Sequence, residues 1–199
     1  MKQCILKINN INAGMKTTAT PLRDCYLIED TVFADERGYF FESFNQQTFL
    51  EQTGLDVCFV QDNQSASVKG VLRGLHFQKG GHAQAKLVRV LQGKVLDIAV
   101  DMRKDSPGFG QYFAVELTAE NHLQLFVPRG FAHGFVVLSA QAVFFYKCDN
   151  YYQKAAEGGI LFNDPTLHID WQLPATELII SAKDKVLPGW EEAVADCGF

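Results

Sequence analysis

Between Gly70 and Gln78 the chain reads GVLRGLHFQ, and ten residues after the histidine of that run comes Lys86, in AQAKLVRV. Arg73, His76 and Lys86 place a guanidinium, an imidazole and an ammonium close together in sequence. Histidine is the side chain whose unperturbed pKa lets it take up and return a proton near pH 7, and guanidinium forks suit phosphate or carboxylate oxygens. The set fits proton-transfer chemistry on an anionic substrate. A further histidine lies in FVPRGFAHGFVVLS, where Pro128, Gly130 and His133 take the spacing PxGxxH.

These residues sit in short apolar runs that read as strands. From Lys86 the chain runs KLVRVL, QG, KVLDIAVDM, with Val95, Asp97, Ala99 and Asp101 alternating against Leu96, Ile98 and Val100; this spacing predicts a β-hairpin. The runs from Tyr112, Leu123, His133 and Ala142 are evenly spaced and separated by Gly, Pro, Asn or Ser, the pattern of a barrel or sandwich. One helix is expected over Phe44–Thr53, ending at Gly54, and a second near Ala182–Lys185; from Pro174 onward the chain reads as irregular structure with short helices. Gly70, Gly74, Gly93, Gly130 and Gly134 read as turn or close-packing positions, and Asn163-Asp164-Pro165 as a turn.

A chain of 199 residues without a linker, repeat or low-complexity tract predicts one domain over 15–199. Residues 1–14 precede a second possible start at Met15 and are expected to be a disordered extension. Sixteen Phe and sixteen Gly favour an all-β class. A net charge of -5 with no concentrated basic surface argues against a polymeric nucleic acid partner. No run has the length of a membrane span or the form of a signal peptide, so no membrane partner is expected. Five scattered cysteines without a CxxC pair suit reduced thiols and a cytoplasmic protein.

The PxGxxH run resembles the second motif of the cupin superfamily, which implies a jelly roll (double-stranded β-helix), here with a few short peripheral helices. Metal-binding cupins carry a first motif of HxH followed by Glu. In this chain His76 is present, but Gln78 replaces the second histidine and the glutamate is missing. His82 with His76 and His133 would be the alternative three-histidine set. The expectation is a cavity without a metal and without any other cofactor.

Taken together, FADERGYFFESF from Phe33, QDNQSAS from Gln61, GVLRGLHFQ, AQAKLVRVLQGKVLDIAVDMR, PRGFAHGFVVLS, YKCDNYY from Tyr146 and EGGILFNDP from Glu157 resemble the dTDP-4-dehydrorhamnose 3,5-epimerase family, from about Met15 to about Pro188. The resemblance implies a metal-free epimerase acting on dTDP-4-keto-6-deoxyglucose, whose C4 ketone acidifies the protons on C3 and C5. It implies His76 as base, Asp184 as the carboxylate that orients its imidazole, Lys86 as stabiliser of the enolate oxygen, and Tyr146 as proton donor. It assigns Arg37, Glu42, Gln61, Asn63, Arg73, His133, Glu157 and Lys183 to the substrate pocket and Tyr152 to stacking on thymine. It further implies a homodimer whose N-terminal strands cross to the partner, so that Arg37 reaches the other subunit's pocket.

Each residue alone has a plainer reading. His76 would be a satisfied structural histidine, Arg73 and Lys86 solvated strand residues, Tyr146 a core aromatic and Asp184 a helix cap or surface charge. Departures from the family pattern stand at Lys154, where proline is common, at Phe162, where tryptophan is frequent, and in SPGFG at 106–110. Three rivals stay open: a mono-epimerase or ketoisomerase of a related deoxysugar, a cupin that only binds a nucleotide sugar, and a metal-dependent cupin.

Overall fold

A computed structural model of the protein describes residues 14–199. Strands β1 (Lys16–Ala19) and β2 (Tyr26–Glu29) are followed by a small hairpin, β3 (Phe33–Asp35) with β4 (Gly38–Phe40), and by helix α1 (Gln46–Thr53). The body consists of β5 (Gln61–Val68), β6 (Val71–Gln78), β7 (Lys86–Gln92), β8 (Lys94–Asp101), β9 (Tyr112–Thr118), β10 (Leu123–Val127), β11 (Phe131–Val137) and β12 (Gln141–Cys148). Short strands β13 (Glu157–Gly159) and β14 (Ile179–Ile180) and helix α2 (Trp190–Asp196) complete the chain.

Two sheets face each other as a cupin-type jelly roll. The first has the order β1-β2-β10-β7-β12-β5, and the second β13-β6-β11-β8-β9 with β14 beside β6. Between them lies an apolar core that includes Val88, Leu125, Phe131, Phe135 and Phe144. The second sheet is covered on its outer face too, where Leu75, Leu96 and Ile98 meet Leu167, Trp171 and Trp190 of the C-terminal segment. Asp164 ties that segment down: its Oδ2 accepts from the Trp190 amide at 2.8 Å and its Oδ1 from the Thr166 amide at 2.9 Å. The expected turn at Asn163-Asp164-Pro165 is therefore also an anchor.

The predicted hairpin of Lys86–Asp101 does not form. β7 pairs with β10 and β12, whereas β8 pairs with β11 and β9 in the opposite sheet. One residue, Gly93 at φ +77°, separates the two strands, too little for the two-residue loops that hairpins favour. Both faces of β8 are buried, as befits a strand inside a sheet covered on two sides.

Helix α1 begins two residues later than expected. Asn45 Oδ1 caps it by accepting from the Thr48 amide at 3.1 Å, and Gly54, at φ +74°, ends it by donating to Leu50 O at 2.8 Å. Its fully buried Phe49 packs on Phe126 with ring centroids 4.9 Å apart. Near Ala182–Lys185 the expected helix is one turn of 3-10 helix, Asp184–Val186. The expected extension 1–14 lies outside the described residues except for Gly14, whose carbonyl accepts from Thr31 Oγ1 at 2.9 Å.

Candidate active site

The strand alternation of β6 breaks at Gly74, and that break builds the site. His133 of β11 stands opposite His76, but Phe135 stands opposite Arg73, so three steps on β6 match two on β11. The extra residue is a bulge. Without it, side chains three apart on a strand point to opposite faces; with it, Arg73 and His76 both line the same cavity. Glycine is required there: a Cβ on Gly74, at φ +128°, would lie 2.6 Å from Gly134 Cα and 2.9 Å from His133 O.

The cavity lies between the sheets, with a volume of about 640 Å³. The second sheet contributes Arg73 and His76 from β6 and His133 from β11; the first contributes Asn63 from β5, Lys86 from β7 and Tyr146 from β12. Lys183 and Asp184 approach from the loop after β14. A neighbouring space of about 440 Å³ shares Asn63, His76, Lys86 and Tyr146 and extends to Gln61, Tyr152 and Glu157. Eleven of the thirteen residues that the family resemblance assigned to the site thus line one continuous cleft.

His76 Nε2 lies 2.8 Å from Oδ1 of Asp184, which is 4% exposed. Burial alone would raise the Asp184 carboxyl, but the hydrogen bond and charge of His76, with help from the Gly74 backbone, hold it below the usual carboxylate range. The Ser181 hydroxyl accepts from the Asp184 amide at 3.0 Å and fixes the turn. An imidazole engaged through Nε2–H keeps its lone pair on Nδ1.

Across the cleft, the Lys86 ammonium stands 5.9 Å from the Tyr146 ring centroid. Burial lowers the Lys86 pKa, with Cys148 and Asp97 opposing the shift. Burial likewise raises the Tyr146 phenol, so its proton is retained at neutral pH. Both groups are primed for a dry site, where a cation acts strongly on developing charge.

At the outer end Glu157 is paired with Lys183 and accepts from the Tyr152 hydroxyl at 3.1 Å. The loop carrying Tyr152 is held by two glutamines: Gln61 Oε1 accepts from the Tyr152 amide at 3.0 Å, and Gln78 Oε1 from the Gln153 amide at 2.8 Å. Gln78 therefore has a structural task at the position where metal cupins carry histidine. His82 is exposed on a turn outside the cleft, so the three-histidine set is not assembled.

Two assigned residues are not brought to the cleft of their own chain. Arg37 lies at the tip of the β3–β4 hairpin, paired with Asp35, and Glu42 is exposed just beyond it. The reason is local: the β3 and β4 strands pair only with each other and join neither large sheet. Two residues were missed by sequence reasoning, Gln84 in the cleft wall and Asp97 behind it. The inward alternation of β8 was the available signal for Asp97.

A family model described as dTDP-4-dehydrorhamnose 3,5-epimerase matches residues 19–192. The chain belongs to this family. The curated dTDP-4-dehydrorhamnose 3,5-epimerase of Salmonella typhimurium is 55% identical over 178 residues, covering 88% of this chain and 95% of the relative. Among solved structures, the epimerase from Elizabethkingia anophelis superposes with a TM-score of 0.87 at 60% identity, covering 89% of this chain and 97% of that one. A Legionella pneumophila 3,5-epimerase solved in complex with dTDP-4-keto-L-rhamnose gives a TM-score of 0.85 at 47% identity, covering 89% and 93%. The chain is thus a 3,5-epimerase on a cupin fold, and no helix among its described residues is long and apolar enough to cross a membrane.

Proposed function

We propose that this epimerase converts dTDP-4-dehydro-6-deoxy-D-glucose to dTDP-4-dehydro-L-rhamnose by inverting C3 and C5 in turn. The observation that supports it best is that His76 and Tyr146 project from opposite sheets into one cavity. Inversion needs a proton removed from one face of the sugar ring and another delivered to the opposite face. His76 Nδ1 takes the proton from carbon; the C–H electron pair moves into the bond to C4, and O4 becomes an enolate oxygen. Lys86 stabilises that charge and Asp184 the imidazolium. Tyr146 then protonates the carbon from the far side as the enolate returns to the C4 ketone; the His76 imidazolium releases its proton to solvent, and the tyrosinate takes one up from solvent.

Arg73 and Lys183 suit the diphosphate through charge-assisted hydrogen bonds. Tyr152, half exposed on its anchored loop, suits the thymine face. His133 and Asn63 border the sugar, and the mechanism calls for no cofactor. The four described cysteines, Cys25, Cys58, Cys148 and Cys197, are free, which supports a reducing, cytoplasmic setting.

The β3–β4 hairpin exposes Tyr39 at 64% and Phe40 at 70%. Such an apolar projection, carrying Arg37 and leading to Glu42, supports a homodimer in which each hairpin reaches the partner's cleft. Light scattering that reports a monomer refutes that arrangement.

The experiment for the activity is proton NMR of dTDP-4-dehydro-6-deoxy-D-glucose with the enzyme in deuterated water. Deuterium at both C3 and C5 with an L-configured product is expected. Incorporation at one carbon would replace this reading with a mono-epimerase, and none at either would leave only binding.

A further inference from the structure

Asp97 is the carboxylate that the mechanism above does not use, and its setting is unusual. It is 0% exposed in the middle of β8, between Val95 and Ala99 of the inter-sheet core. Both carboxylate oxygens lie 3.0 Å from Nε2 of His133, itself 7% exposed and part of the cavity wall. A carboxylate this deep is costly unless its hydrogen bonds and counter-charge are supplied. The register shows how the pair arises. His76, His133 and Ala99 stand abreast on β6, β11 and β8, and Asp97 lies two residues from Ala99 on the same face.

The other edge of the His133 ring is free. Its Nδ1 has no hydrogen-bond partner among the described residues, yet it is not sealed in, since Asp30 Oδ1 is the sole buried side-chain nitrogen or oxygen lacking a partner among them. Nδ1 therefore opens onto the cavity that His133 lines, beside His76.

We propose that Asp97 is a positioning residue for the epimerase reaction: by accepting Nε2–H it fixes the His133 tautomer, so that the Nδ1 lone pair faces the cavity and accepts a hydrogen bond from a sugar hydroxyl. The inference rests on the functional reading above and adds an acceptor, fixed by a buried carboxylate, to the cationic side of the site. A hydroxyl that donates to Nδ1 is held against turning, which keeps the reacting C–H aimed at His76. The buried ammonium of Lys86, whose charge is opposed by burial and favoured by Cys148 and Asp97, adds positive charge to the same region. The logic is that of a ligand histidine whose second nitrogen is set by an outer carboxylate.

Histidine-labelled enzyme, with His133 assigned through His133→Gln, allows the ring protons to be placed by nitrogen-15 NMR. A neutral ring protonated on Nε2 is expected, with the Nδ1 signal moving when dTDP-glucose is added. A proton on Nδ1, as the other tautomer or as an imidazolium, overturns the proposal, as does an Nδ1 signal indifferent to dTDP-glucose. In Asp97→Asn the amide can donate to Nε2 and reverse the tautomer; KM is then expected to rise about tenfold or more, with kcat changed less. Wild-type kcat/KM in a folded Asp97→Asn refutes the proposal alone. Failure of the wild-type enzyme to exchange solvent deuterium into its substrate refutes the functional reading instead. If Asp97→Asn does not fold, the wild-type spectrum decides.

Discussion

Replacing Gly74 by alanine tests whether the β6 bulge is what places Arg73 and His76 on one side of the strand. The new Cβ would meet backbone rather than yielding side-chain ends, 2.6 Å from Gly134 Cα and 2.9 Å from His133 O, at a φ of +128°. A backbone conformation restricted to glycine costs about 1–3 kcal/mol for another residue, and overpacking against atoms that cannot rotate away adds about 1–3 kcal/mol. The sum, about 2–6 kcal/mol, is a large fraction of ordinary domain stability. For a chain of this size it corresponds to a melting temperature lower by about 4–24 °C. The strain also falls beside His133 O and next to Arg73, so the folded fraction should be catalytically impaired as well. Calorimetry gives the first quantity, and deuterium exchange into the dTDP-sugar, corrected for folded protein, gives the second. A variant melting within 2 °C of wild type with unchanged exchange would refute the claim that this close approach builds the site. Stability lost with full exchange per folded molecule would confine the role of Gly74 to packing.

Three further outcomes are expected. Asp184→Asn should lower kcat by about 10²-fold, since a charge-assisted hydrogen bond to a catalytic imidazole contributes about 1.5–3 kcal/mol, and steady-state kinetics checks it; a loss below threefold would detach Asp184 from the mechanism. Tyr146→Phe should still wash substrate deuterium out to solvent while inverted product drops, because abstraction by His76 precedes delivery by the phenol; NMR separates the two. Asp30, 7% exposed, has its carboxyl pushed up to about 6 by burial against the hydrogen bond from Gln124. Its folded pKa exceeds its unfolded one, so stability falls as pH rises from about 4 to about 6. Asp30→Asn should then gain about 1–3 kcal/mol near neutrality and nothing near pH 4, and urea unfolding at both pH values would contradict this if the gain were equal.

How far the site was legible depended on what each inference needed. Short apolar runs with regular breaks carry their own geometry, so the strands from Tyr112, Leu123, His133 and Ala142 and the all-β class followed from periodicity. The pairing of neighbours did not. KLVRVL and KVLDIAVD look like two arms of a hairpin because a single glycine corner leaves no separate mark in composition, and only burial on both faces of β8 reveals that the strands belong to different sheets. The same limit explains Arg73 and His76. Their odd spacing argues for opposite faces, and the bulge that reverses this is written in one glycine among sixteen.

Asp184 and Asp97 show the converse. Asp184 lies 108 positions from His76, in a stretch without periodicity, and was reached through family resemblance rather than pattern. Asp97 was visible as an acidic residue on the inward side of an alternating strand, yet alternation says only which face a side chain takes. Its partner comes from β11, through a register set by the Gly74–Gly134 approach at one end and by the β8–β11 ladder along its length. The two histidine–aspartate pairs therefore share a mechanical origin in β11. A change that shifts β11 against β6 should disturb His76 and His133 together, whereas a change at Asp97 or Asp184 should disturb only its own ring. The Gly74→Ala enzyme and the two aspartate variants, compared by histidine nitrogen-15 spectra, separate those cases.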